Sequence, residues 1–219
     1  KLRPHRKEDY LLVYADTDYV KGEINHELLA LTEVWFKDPD LKNLDMNNEL
    51  DIGRAMYNEM NDVSALQEFC GFVLMLKAKY KKALMLYGEG DTGKSIIAGI
   101  ITEILNVKNT CTIYLDKMDD QQCLAPIKGK MVNIIYDLKK DAMLSDGGFK
   151  TLVSGGDAIQ INTKYKPQET IIPDAKHIFI TNNLPVITDT TTSVFKRFVF
   201  LQFKNIIEEK KQDSKLKEK

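Results

Sequence analysis

Residues 88–95 read Gly88-Glu89-Gly90-Asp91-Thr92-Gly93-Lys94-Ser95. The stretch fills every fixed position of G-x-x-x-x-G-K-[ST], a loop that cradles phosphates. Glycine lets the backbone curl until successive N–H groups point at one anion. Lys94 sets a positive charge against the β- and γ-phosphates, and the Ser95 hydroxyl is a hard oxygen suited to Mg²⁺. Gly88, Gly90, Asp91, Thr92, Gly93, Lys94 and Ser95 are therefore the expected nucleotide-binding set, with a nucleoside triphosphate and Mg²⁺ as the expected ligands. The flanks agree. Residues 83–87 (ALMLY) predict a short buried strand and 96–105 (IIAGIITEIL) a helix, whose N-terminus adds partial positive charge to the site. That context favours a phosphate site over a glycine-rich turn that binds nothing.

Outward from the loop, the chain changes character. Residues 1–20 are polar, then mixed, and predict a linker remnant. Residues 21–80 predict a helical domain, with helices at 23–36, 47–60 and 64–76. Pro39 separates the first two, and Ser64 with Gln67 forms a capping box opening the third. From Lys81, strands alternate with helices. Strands are expected at 83–87, 111–115, 131–136, 177–181 and 198–203, and helices at 94–105, 119–127 and 147–153. Such alternation predicts an α/β fold, a parallel sheet with helices on both faces. Residues 158–161 and 169–172 predict a β-hairpin inserted before the fourth main strand. This α/β unit covers 81–204, and 205–219 is a charged tail. The start at Lys1 and the charged end predict a piece of something larger.

With 43% hydrophobic and 29% charged residues, the chain can build a core beneath a polar surface. No apolar run approaches transmembrane length, and no signal peptide is read, so no membrane partner is expected. Cys70, Cys111 and Cys123 each sit in an apolar stretch and read as reduced core residues of a cytoplasmic protein. A net charge of −1 does not mark a basic nucleic-acid binder, although a local basic hairpin can still bind phosphates.

Four further features carry chemistry. The apolar strand 131–136 runs into Asp137, an acid placed to hold Mg²⁺ and polarise the attacking water. The strand 177–181 ends at Asn182 and Asn183. An amide there can bond the γ-phosphate or the lytic water, or can simply turn the chain. Arg197 is the sole arginine after the loop, and its planar fork suits a transition-state phosphate. Lys164-Tyr165-Lys166 lies at the expected hairpin tip, with two cations beside an aromatic that can stack on a base.

Taken in order, GEGDTGKS, MVNIIYDL, FKTLVSGGDAIQINTKYKPQETIIPDAKHIFITNNLP and FKRFVFLQF resemble superfamily 3 helicases of the phage and plasmid primase-helicase type. The likeness runs from about Asp16 to the C-terminus. It implies an AAA+ core behind a small helical collar, a homo-hexameric ring, and ATP-driven 3′-to-5′ translocation on single-stranded or forked DNA. By position, it makes Lys94 and Ser95 the Walker A residues, Asp137 the catalytic acid of Walker B and Asn182 the sensor. It makes Arg197, beside Lys196, a finger reaching the neighbouring subunit's ATP, and it puts Lys164, Tyr165 and Lys166 on a channel hairpin that touches DNA. Tyr136 stands where many members carry a first Walker B acid. The alternatives are an ATP-binding, DNA-binding initiator module with little hydrolysis or unwinding, and a small-substrate kinase.

Overall fold

The structure, a computed structural model, describes residues 26–36, 49–138, 143–144, 146–187, 192–208 and 210. The expected linker at 1–20, the break at Pro39 and residues 209 and 211–219 of the charged tail lie outside them.

The apolar run at 83–87 forms β1 (Ala83–Gly88), the hub of a five-stranded parallel sheet. The other strands are β2 (Thr110–Cys111), β3 (Val132–Ile135), β7 (Lys176–Thr181) and β9 (Phe198–Phe203), in the order β2-β3-β7-β1-β9, so β1 pairs with β7 and β9. Central strands of such a sheet are covered on both faces and so read as largely apolar runs, although Asn133, Lys176, His177 and Thr181 are buried among them. All four residues of β3 and all six of β7 are buried. Side chains alternate between faces. Leu84, Leu86, Ile134, Ile178 and Ile180 join one core, and Ala83, Met85, Ile135 and Phe179 the other.

Over the first core lie α1 (His26–Phe36), α2 (Glu49–Leu74) and α3 (Lys94–Leu105). In α3, Ile97, Ala98, Ile101 and Leu105 recur at helical spacing and are buried. Over the second core lie α4 (Asp146–Ser154), through Phe149, Leu152 and Val153, and the short α5 (Thr192–Phe195), through Val194. A β-hairpin, β5 (Ile159–Ile161) with β6 (Glu169–Ile171), is inserted before β7. The expected α/β class, parallel sheet, two helical layers and inserted hairpin are all present. A two-stranded pair, β4 (Met143–Leu144) with β8 (Val186–Ile187), and α5 were not foreseen.

Three local expectations are corrected. The helices expected at 47–60 and 64–76 are one helix, α2. Asn61-Asp62-Val63 holds no glycine or proline to stop it, and Val63 and Ala65 pack on the core across the supposed boundary. Ser64 is therefore an exposed mid-helix residue and not a cap. The helix expected at 119–127 is a chain of turns ending in a 3₁₀ segment at Ala125–Ile127, with another 3₁₀ segment just before it at Leu115–Lys117. The Asp120 carboxylate accepts from the Gln122 N–H at 2.9 Å, an Asx turn that competes with helix, and Pro126 lacks a donor. The strand expected at 111–115 shrinks to Thr110–Cys111. Beyond it the Asn133 side chain replaces the ladder, accepting from Ile113 N at 2.7 Å and donating to Ile113 O at 3.1 Å. The cysteines are free and half-buried; Cys70 and Cys111 pack against the two cores, whereas Cys123 sits on a turn with its thiol 3.3 Å from Asp120 Oδ2.

Candidate nucleotide site

β1 delivers the loop at the carboxyl edge of the sheet, and α3 leaves from it. Two glycines are needed there on steric grounds. A Cβ on Gly88 (φ +150°) would come within 2.2 Å of the Phe203 carbonyl oxygen. One on Gly93 (φ +91°) would come within 2.3 Å of Trp35 Nε1. Gly93 is the N-cap of α3 and caps it without a side chain. A helix start built this way presents backbone donors to an anion.

Lys94 is only 5% exposed. Its ammonium donates to the carbonyl oxygens of Gly88 (2.8 Å) and Glu89 and to the Thr92 hydroxyl oxygen (3.1 Å). The Thr92 hydroxyl donates in turn to Glu89 O at 3.0 Å. Burial holds the Lys94 ammonium below the usual lysine range, and the charges of Asp91 and Asp137 pull it back up. That coupling places Asp137 within electrostatic reach of the loop. Asp137 lies just past β3, exposed and in the left-handed region at φ 55°.

β7, between β1 and β3, brings Asn182 to the same edge. The register Tyr87↔Thr181 sets Asn182, the next residue, beside Gly88. Leu138 N donates to Ile180 O at 3.2 Å and holds the chain beyond β3 against β7. Lys94, Ser95, Asp137 and Asn182 thus gather at one end of the sheet, Ser95, Asp137 and Asn182 being exposed. In open α/β sheets, the carboxyl ends of the strands are where ligands bind.

Arg197 is not there. It precedes β9, at the opposite edge, where its carbonyl accepts from Ala83 N at 2.7 Å. The six residues of β1 separate it from the loop. At about 3.3 Å per residue, that is about 20 Å. Its Nη1 donates to Ser193 O at 2.9 Å, and its buried Nε has no hydrogen-bond partner among the described residues. Arg197 and Lys196 share a groove with Lys79, Tyr80, Lys81 and Lys82. The Lys82 ammonium donates to Lys196 O at 2.7 Å, and Tyr80 meets Phe72 edge-on with centroids 5.4 Å apart. Sequence reasoning missed this cluster, although the run Lys79-Tyr80-Lys81-Lys82 resembles the 164–166 triplet it did single out.

The triplet occupies the hairpin tip as expected. Lys164, Tyr165 and Lys166 are exposed, Tyr165 wholly so and at φ 63°. The base is held firmly. Asn162 Nδ2 and Gln168 Nε2 both donate to Gln121 Oε1, at 3.1 and 3.0 Å, and Lys128 pairs with Glu169 at 2.6 Å.

A family model described as a family of unknown function, DUF5906, matches residues 86–197, just over half of the chain. The chain belongs to that family. The match opens in β1, two residues before Gly88, and closes on Arg197, so every expected site residue lies within the DUF5906 region. Among solved structures, the chain is similar to the apo C-terminal region of NrS-1. In one form it has a TM-score of 0.64 and 16% identity over 93% of this chain and 44% of that one. In another form it has 0.62 and 18%, over 90% and 42%. It also matches JCV helicase at 0.44 and 11%, over 80% and 44%. The NrS-1 likeness is one of fold, and the chain spans less than half the length of these structures. No helix among the described residues is long and apolar enough to cross a membrane.

Proposed function

We propose that this chain is the ATP-hydrolysing motor of a replicative DNA helicase. It would act as a homo-hexameric ring moving 3′-to-5′ on single-stranded or forked DNA, in the replication initiator of a phage, plasmid or mobile genetic element. One observation carries the reading. Lys94, Ser95, Asp137 and Asn182 converge on one edge of the sheet, while Arg197, the sole arginine after the loop, stands at the other. An arginine about 20 Å from its own loop serves catalysis only across a subunit boundary. The lysines around Arg197 make that face suited to an anion.

In this reading, Lys94 and the backbone donors at the start of α3 hold the β- and γ-phosphates. Asp137 takes up the proton of the attacking water, Asn182 orients that water, and a neighbour's Arg197 stabilises charge on the transferring phosphoryl group. The donor set fits Mg²⁺. Ser95 and Asp137 are exposed hard-oxygen donors at one edge, and the ion would neutralise phosphate charge there. The Lys164–Lys166 tip, projecting from a firmly bonded base, would meet the DNA backbone in the channel. A ring of near-neutral subunits can still line its channel with these cations.

Tyr136 favours the second reading, an ATP-binding, DNA-binding initiator module with little turnover. It is exposed at the end of β3 and supplies no second carboxylate. Single-turnover ATP hydrolysis with and without single-stranded DNA decides. The motor hydrolyses ATP and is stimulated by DNA, and absence of hydrolysis in both conditions refutes it in favour of the module.

A further inference from the structure

Trp35 is the only tryptophan of the chain and is wholly buried in the last turn of α1. Its indole edge closes off the outer side of Gly93. Nε1, Cδ1 and Cε2 would lie 2.3, 3.0 and 3.2 Å from a Cβ at that position. The indole is backed by Phe203 at the end of β9, with centroids 5.9 Å apart, and Phe36 packs on the Phe203 ring at 5.2 Å. The indole N–H has no hydrogen-bond partner among the described residues. Burying such a donor is unfavourable, so the benefit of this residue lies in the space it fills. The chain beyond β9 completes the enclosure. Ile207 N donates to Asp91 O at 2.9 Å, and Asn205 Nδ2 donates to Val34 O, in α1, at 2.8 Å. Two loop residues, Asp91 and Gly93, are thus held from outside by segments that are bonded to each other.

We propose that Trp35 is a positioning residue that makes nucleotide affinity depend on the docking of α1. Gly93 sets the direction of the first donors of α3, and it adopts a left-handed conformation open to many alternatives. The indole wall excludes the alternatives that would swing Gly93 outward. By linkage, a nucleotide that needs the closed loop favours docked α1 to the same degree. The helical layer and the phosphate loop are then one coupled unit. The inference rests on the nucleotide reading of the loop.

The test is calorimetric titration of ADP with Mg²⁺ into the wild-type chain and three variants. Trp35→Ala is expected to weaken affinity by about tenfold or more. Trp35→Phe, which keeps most of the wall, should stay within about threefold of wild type. Phe149→Leu, a core change on the other face of the sheet, should leave affinity unchanged although it lowers stability. Wild-type affinity in folded Trp35→Ala, or an equal loss in Phe149→Leu, overturns the proposal. A second measurement does not need Trp35→Ala to fold. Saturating ADP and Mg²⁺ should slow deuterium exchange of the α1 amides in the wild-type chain, and unchanged α1 exchange overturns the coupling. Wild-type protein that binds no ADP sinks the nucleotide reading itself, an outcome distinct from either of these.

Discussion

His177 makes the stability of the sheet sensitive to acid. It lies in β7, the strand that ends one residue before Asn182, and is 1% exposed. Its ring lies near-parallel to Phe179, and Nδ1 accepts from Asn133 Nδ2 at 3.3 Å. Burial pushes its pKa down from 6.5 to about 4, and a backbone hydrogen bond at Leu152 only partly offsets this. The unfolded chain takes up a proton on this ring below about pH 6.5, and the folded chain does not until about pH 4. Between those values the unfolded state holds more protons, so stability rises with pH and is lost as pH falls through the window. Above pH 6.5 the ring is neutral in both states and contributes no slope. At about 1.4 kcal/mol per pH unit, going from pH 7 to pH 4.5 should remove about 2 kcal/mol. In urea this is a fall of about 1 M in the unfolding midpoint. Carboxylates begin to titrate in the same range, so the comparison is with His177→Leu. That variant has its own fixed stability difference but lacks the histidine proton, and Asn133 keeps its bonds to Ile113. The wild-type midpoint should therefore fall by about 1 M more than that of His177→Leu over this range. Parallel profiles for the two proteins would refute the assignment of a neutral, proton-resisting His177.

Four other outcomes test the candidate site. Lys94→Ala should abolish ATP binding in a calorimetric titration, because it removes the cation from the cradle. Asp137→Asn should bind ATP yet lose hydrolysis by about a hundredfold or more, at ~1.4 kcal/mol of barrier for each factor of ten. Wild-type turnover would make Asp137 a turn residue. Lys164→Ala with Lys166→Ala should weaken single-stranded DNA binding without regard to base sequence and spare basal ATP hydrolysis. The salt slope should flatten by about one unit per lost phosphate contact. Arg197→Ala should bind ATP nearly normally and hydrolyse it about a thousandfold more slowly. Mixing it with Lys94→Ala protein at ring-forming concentration should restore some activity, and no gain over the separate proteins would rule out action in trans.

Much of the fold was legible because its signals are local. A strand covered on both faces is largely apolar, and β1 stands almost where its run predicts, as does the edge strand β9. The loop is legible for a stricter reason. Its chemistry needs specific residue types at specific offsets, so the pattern survives without any knowledge of the partners. The hairpin was legible from two short strands around the polar 162–168 segment. The errors arose where a distant group replaced a local one. Asn133 took over the ladder at Ile113, and core packing of Val63 and Ala65 carried α2 through a stretch of poor helix formers.

By itself, the sequence determined the residue types of the loop, their spacing, and the kind of element on each side of it. These depend on spacing within about ten residues, and backbone geometry converts spacing directly into direction. Only the tertiary structure decided that β7 lies between β1 and β3, which brings Asn182 and Asp137 to the loop from far along the chain. It also put Arg197 at the far edge, where its own loop is out of reach, and set Trp35 against Gly93. Such placements follow from strand order and from how two helical layers pack on one sheet. Many residues share in that packing and none of them encodes it alone, so it leaves no mark at any single position.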